Sequence, residues 1–230
     1  KQSRFGNRIY FLLGNISGAS NNTNVIIVNP NGVTIGSDFA LNTKISGILL
    51  STQDTSINAI SDISGLTLDS VSSTLSDNGS VDLTINVDSS GLNSSGADIY
   101  LYSSNGLTVN GDNNTNNLTA GKLVIDNKNG AISLKTSADI ISATTNSSDI
   151  TITNNKSAII TSMTTTGNVT ISVDGTISQG TGTIAADNLI IKTSGTVGSA
   201  ATKLATNVAT IKITNLADNG ATNNNAYISE

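Results

Sequence analysis

The sequence predicts an all-β chain wound as a right-handed parallel β-helix, an elongated rod of stacked coils, and three observations carry that prediction. First, an apolar-x-apolar triplet recurs as Leu83-Thr-Ile85, Ile99-Tyr-Leu101, Leu123-Val-Ile125, Ile150-Thr-Ile152, Val169-Thr-Ile171, Leu189-Ile-Ile191 and Ile211-Lys-Ile213. Successive triplets start 16 to 27 residues apart, the spacing at which repeat proteins stack one supersecondary unit per period. Second, aromatic residues make up 3% of the chain and Cys and Trp are absent. Neither large rings nor disulfides can organise the interior, so Val, Ile, Leu and Ala must. Third, Asn, Ser, Thr and Gly fill the segments between apolar pairs. Asn tolerates left-handed backbone, and its amide can pair with an amide one coil away. A hydrophobic content of 37% arranged with period two is too regular for a disordered chain.

Taken in order, Val25-Ile-Ile-Val28 and Val33-Thr-Ile35 read as strands joined by a tight turn at Asn29-Pro30-Asn31-Gly32. Pro30 presets φ for the second turn position, and Gly32 can close the turn with positive φ. Ile48 to Thr52 continues the strand pattern. Residues 53–80 break the rhythm: Leu66-Thr-Leu68 reads as a strand pair, and Asp69 to Leu75 as a strand or an excursion from the coil. From there the triplets run on, each preceded by a small or polar turn, with secondary strands between them at Leu107-Thr-Val109, Ile132-Ser-Leu134, Ile140-Ile141, Ile159-Ile160 and Ile177. Leu, Ile and Val are expected inward and Thr, Ser, Asn and Lys outward. At roughly 20 residues per coil the chain predicts on the order of eleven rungs and a rod about 50 Å long. Arg4 and Arg8, the only arginines, are candidates for a terminal cap.

The stretch Asn24 to Gly36 (NVIIVNPNGVTIG), followed by Ser37 to Asn42 (SDFALN) and Ile48 to Thr52 (ILLST), resembles the secretion domain of two-partner-secretion exoproteins. These are the filamentous-haemagglutinin and high-molecular-weight-adhesin type proteins of Gram-negative bacteria. The likeness is strongest over residues 12–52. A second family-like signature runs through Ala185 to Ile191 (AADNLII), Gly195 to Gly198 and Leu204 to Val208. The Asn-Pro-Asn-Leu element common in such domains is absent, and Pro30 is the only proline. The resemblance implies a two-partner-secretion domain over residues 1–62, incomplete at its start, and a β-helical repeat region over 63–230. It also implies that Asn29, Pro30, Asn31 and Gly32 form a motif needed for export through a partner outer-membrane transporter with periplasmic recognition domains.

With no His and no Cys, the Ser-His and Cys-His mechanisms and zinc sites built from those ligands are excluded. Carboxylates are dispersed, mostly one per turn, as Asp77, Asp88, Asp112, Asp126, Asp174 and Asp218, and Glu230 is the sole glutamate. A polysaccharide-active β-helix needs an acid and a base converging across a sugar, so this pattern argues against an enzyme. Asp112-Asn-Asn and Asp218-Asn-Gly match no calcium loop and read as turns, so neither a metal nor a cofactor is expected. A net charge of −5 and a pI near 4.5 offer no basic stripe for nucleic acid. No window approaches the ~20 apolar residues of a membrane-spanning helix. Ile9 to Leu13 is too short for a signal-peptide core, so a targeting segment is expected to have been removed and both ends read as cut.

Nine Asn-x-Ser/Thr sequons, at Asn15, Asn21, Asn78, Asn93, Asn113, Asn117, Asn146, Asn155 and Asn168, are candidate glycosylation sites. The expected function is that of a secreted or surface-exposed, non-enzymatic adhesin-type exoprotein that meets a host-cell, matrix or neighbouring-cell receptor. The alternatives are a filament subunit that self-associates end to end and, behind it, a polysaccharide-active β-helix.

Overall fold

The computed structural model describes residues 10–12, 15–16, 23–36, 40–41, 45–55, 67–76, 79–88, 91–93, 96–111, 117–215 and 225–230. They form a β-solenoid of about 8 turns, nearly all of it parallel β-structure. At ~4.8 Å per rung this is about 40 Å of stacked coil. It is shorter than the eleven rungs expected because the coils are not uniform. Ile141 lies eighteen residues after its partner Leu123, and Ile211 twenty-two after Leu189. Leu83, however, lies fifty after Val33.

Two strand columns carry most of the ladder. On one face Val25, Ile48, Ile99, Leu123, Ile141 and Ile160 follow one another in register. On another, Val33, Leu83 and Leu107 form one stretch, and Ile132, Ile150, Val169, Leu189 and Ile211 a second. The seven triplets read from sequence therefore do not share a column. Ile99 and Leu123 belong to the first face, the others to the second, and Ile132-Ser-Leu134, read as secondary, is the direct neighbour of Ile150-Thr-Ile152. Narrower contacts close the coil: Leu92 pairs with Leu118, and Ala158 with Ile177, which bridges Val197. The strand Ile132–Thr145 bends through nearly a whole coil.

Alternation places one aliphatic row inside. Ile48, Leu50, Leu83, Ile99, Leu101, Leu123, Ile150, Ile152, Val169, Ile171, Leu189 and Ile191 are all inaccessible to solvent, each fully buried side chain contributing about 1.5–3 kcal/mol. Cover thins at Val25 and Ile27 in the first described coil and at Leu107 and Val109, all half-buried, and at the last rung, where Ile213 is 39% exposed.

The first-face ladder steps directly from the strand Ile45–Ser51 to Asp98–Ser103. Within one coil, after its first-face strand Ile45–Ser51 and before its second-face strand Leu83–Asn86, the chain leaves the solenoid in an excursion. Its base is the one antiparallel pair among the described residues, Asp54 with Ser76 and Thr55 with Leu75. Its body is a helix, Leu68–Ser72. The strand pair expected at residues 66–68 is thus corrected: Thr67 is a helix N-cap and Leu68 the first helical residue. Thr67 and Ser70 form a reciprocal capping box, with Ser70 N donating to Thr67 Oγ1 at 3.1 Å and Thr67 N to Ser70 Oγ at 2.9 Å. The division expected at residues 62/63, and the Arg4 and Arg8 cap, lie outside the described residues.

Candidate functional site

The Asn29-Pro30-Asn31-Gly32 turn is the corner where the first face turns into the second. Asn29 N–H donates to Ser51 O of the next coil at 2.9 Å, and Gly32 N–H closes the turn on Asn29 O at 3.1 Å. Gly32 has φ +127, a conformation that side-chain-bearing residues rarely adopt. The Asn29 side chain, 7% exposed, is turned inward: its Nδ2 donates to Gly32 O at 2.8 Å, and its Oδ1 accepts from Asn31 N at 3.1 Å. Asn31 is exposed and Pro30 half-buried.

This corner recurs. The position of Asn29 is taken in successive coils by Thr52, Ser103, Asn127, Thr145 and Thr165, all buried. Ser103 Oγ donates to Gly106 O at 2.7 Å and Asn127 Nδ2 to Gly130 O at 3.0 Å, the bond that Asn29 makes to Gly32. Asn29-Pro-Asn-Gly32, Ser103-Ser-Asn-Gly106 and Asn127-Lys-Asn-Gly130 are three copies of one device: an inward polar side chain satisfies the carbonyl three residues on, where the coil cannot. Each copy ends in Asn-Gly, a signal present in the sequence but unspecific, since Asn-Gly also occurs at residues 78–79, 110–111 and 219–220. A second polar corner holds Asn154, whose Oδ1 accepts from Ala138 N and Thr136 Oγ1, both at 2.8 Å. Its Nδ2 donates to Ala138 O at 3.1 Å and Lys156 O at 2.6 Å.

Outside the first face, the excursion builds a second, smaller core. Leu49 and Tyr100 point away from the solenoid interior yet are buried, with Tyr102, beneath Leu68 and Val71 of the helix. A polar cluster rims this core. Tyr100 OH donates to Asp69 Oδ1 at 2.6 Å, while Lys122 Nζ reaches Asp69 Oδ1 at 3.0 Å and Tyr100 OH at 2.7 Å. The ammonium also lies 5.0 Å from the centroid of the Tyr100 ring. Burial, and then the Asp69 carboxylate, push the Tyr100 hydroxyl far above its ordinary range. The Tyr100 and Lys122 bonds hold Asp69 below the ordinary 3.8. Asp98, which accepts from Lys122 N at 3.1 Å, is shifted the other way by burial. No sequence pattern links these residues, which converge only through the excursion.

The signs give an expected result. A depressed carboxyl stabilises the folded helix above the unfolded value and ceases to do so as pH falls through its own lower one. Acidification below 3.8 is therefore expected to loosen the Leu68–Ser72 helix, as read by amide exchange, and Asp69→Asn to remove that acid dependence. Asp98 has the opposite sign, its contribution being lost as pH rises above 3.8. Equal acid sensitivity in Asp69→Asn would contradict the assignment.

Asn pairs between coils as expected. Asn168 Nδ2 donates to Asp149 Oδ1 at 3.1 Å, Asn188 Nδ2 to Asn168 Oδ1 at 2.7 Å, and Thr210 Oγ1 to Asn188 Oδ1 at 2.5 Å, a ladder over four coils. Asn168 is also a sequon, and the nitrogen that would carry a glycan is engaged here. Asn93, Asn146 and Asn155 are exposed, Asn117 is half-buried and Asn15 begins a two-residue strand. Asn21, Asn78, Asn113, Asp112-Asn-Asn and Asp218-Asn-Gly lie outside the described residues. Among the described residues no three carboxylates gather to hold a metal ion, and no helix is long and apolar enough to cross a membrane. Fold and corners define a β-solenoid repeat protein. Compared with known proteins, the chain matches no family model, no curated protein and no solved structure.

Proposed function

We propose that this chain is a non-enzymatic, adhesin-type exoprotein, secreted or held at the cell surface, and that a partner outer-membrane β-barrel exports it with its amino-terminal coils leading. The observation that carries the reading is the Asn24 to Gly36 stretch, whose Asn29-Pro30-Asn31-Gly32 turn forms a corner of a stacked coil with Asn31 facing solvent. The fold supports the reading because coils that contact only their neighbours can be added one upon another as a chain emerges. An extended segment can be received by edge-strand pairing with the partner's periplasmic domains. Dispersed carboxylates support a binding role over a catalytic one.

The two asparagines of the motif differ within the corner. Asn29 holds the turn through its side chain, whereas Asn31 contributes only its backbone N–H to it. Secretion is therefore compared, with and without the co-expressed barrel, for the parent, Asn29→Ala and Asn31→Ala. The expected result is barrel-dependent export, with Asn29→Ala reducing secretion and coil stability together. Asn31→Ala is expected to reduce secretion alone. Undiminished secretion of a normally folded Asn31→Ala protein would overturn recognition through the motif, and export without the barrel would overturn the two-partner reading.

End-to-end self-association has one observation in its favour. Among the described residues no strand pairs with the outer edge of Ile211–Asn215, and Ile213 there is 39% exposed. Sedimentation velocity at rising concentration tests it, concentration-independent monomer being the contrary result.

A further inference from the structure

Three corners end in the same dipeptide, Asn31-Gly32, Asn105-Gly106 and Asn129-Gly130, and the structure treats their glycine nitrogens differently. That nitrogen matters chemically. Once deprotonated, it can attack the side-chain carbonyl carbon of the preceding asparagine. A carbon–nitrogen bond forms, the bond to the side-chain nitrogen breaks, and ammonia leaves carrying the proton. Water then opens the succinimide ring at either carbonyl, giving aspartate or an isoaspartyl residue whose backbone is one methylene longer. Water is the only co-reactant. Glycine favours the attack because no Cβ hinders the approach.

At Asn31-Gly32 the Gly32 N–H is held by Asn29 O at 3.1 Å. At Asn105-Gly106 the Asp82 carboxylate takes the Gly106 N–H at 2.9 Å and Asn105 Nδ2 at 2.7 Å with the same Oδ1. It thus opposes deprotonation of the nucleophile and binds the leaving group. At Asn129-Gly130 no acceptor among the described residues receives the Gly130 N–H. Gly130 has φ +88, both residues are exposed, and Asn129 Nδ2 has only a long bond, 3.4 Å, to Ser104 O.

We propose that Asn129 is a site of spontaneous modification, converting to aspartyl and isoaspartyl forms in the folded protein while Asn31 and Asn105 persist. Conversion removes the Nδ2 donor to Ser104 O and places a new carboxylate in the corner that already carries Asp126 and Lys128, paired at 2.7 Å. It therefore loosens the seam between two neighbouring coils.

The test incubates the folded protein at mildly alkaline pH and follows Asn31-Gly32, Asn105-Gly106 and Asn129-Gly130 by peptide mapping, with isoaspartate distinguished by fragmentation. Breaking one hydrogen bond before reaction predicts rates about fivefold slower at Asn31 than at Asn129, and about tenfold or more slower at Asn105, where the acceptor is charged. In urea the three rates converge, because all three are Asn-Gly. Asp82→Ala is expected to raise the Asn105 rate toward that of Asn129 while leaving Asn129 unchanged. Equal rates in the folded protein would overturn the proposal. So would an Asn105 rate indifferent to Asp82, since that would show that the hydrogen bonds do not set the selectivity.

Discussion

Replacing Asn154 with Ala is expected to destabilise the central coils by about 2–4 kcal/mol, since burying an unsatisfied polar group costs about 1–3 kcal/mol and this substitution leaves several. Ala138 N–H and O, and Lys156 O, all take their side-chain partner from this one amide, which is 1% exposed. Leucine fills the volume but supplies no bonds, and aspartate has no donor for the two carbonyls, so neither is expected to rescue. Because coils interact mainly with their neighbours, one midpoint can understate a local loss. Amide exchange over the strands Ile132–Thr145, Ile150–Asn154 and Val169–Val173 is the sharper measurement. Protection equal to that of the parent in all three would refute the argument.

Tyr100→Ala is expected to act elsewhere, releasing the excursion while sparing the rod. Truncating a buried aromatic costs about 3–5 kcal/mol, and here the loss falls on contacts with Leu68 and Val71 and on the bond to Asp69. A five-residue helix has almost no stability of its own. The amides of Val71 and Ser73, which close the helix on Thr67 O and Asp69 O, should exchange freely. The ladder joining Ile99, Tyr100 and Leu101 to Ile48, Leu49 and Leu50 should stay protected, because it is backbone pairing over a separate core. Limited proteolysis is expected to cut within residues 54–76 and leave the coils intact. Tyr100→Phe, which keeps the ring, should give a smaller effect. If the ladder opens together with the helix, excursion and solenoid are one cooperative unit.

How much was legible in the sequence follows from what kind of signal each feature leaves. The parallel β character was legible because Ile150-Thr-Ile152, Val169-Thr-Ile171 and Leu189-Ile-Ile191 must bury alternate residues, and period two is written directly in residue type. The Asn168 and Asn188 ladder was legible for a similar reason. The coil count was not, because Leu123 and Ile150 look alike although they occupy different faces, and only register distinguishes them. The helix Leu68–Ser72 was not, since five residues are too few to show a 3.6 period and Leu66-Thr-Leu68 imitates a strand. The Tyr100, Asp69 and Lys122 cluster joins residues 31 and 53 positions from Asp69 through an excursion no local pattern announces. The Asn29 corner was found as a motif but not as a repeat, because its later copies begin with Ser103 and Asn127, each equally at home in any turn.

The helix outside the first face touches more than one storey of the solenoid. Leu49 lies in one coil, Tyr100 and Tyr102 in the next, and Lys122 in the one after, and all three levels meet the same few helical residues. Backbone ladders between coils run along the long axis, so tension applied to the ends loads them in series, and the weakest seam yields first. A side element fastened to three levels acts in parallel with two of those seams, as a rivet does across stacked plates. Under tension, parting of the solenoid is therefore set by the unriveted seams, those beyond Lys122 and the one joining Val25 to Ile48, while the three riveted coils hold together.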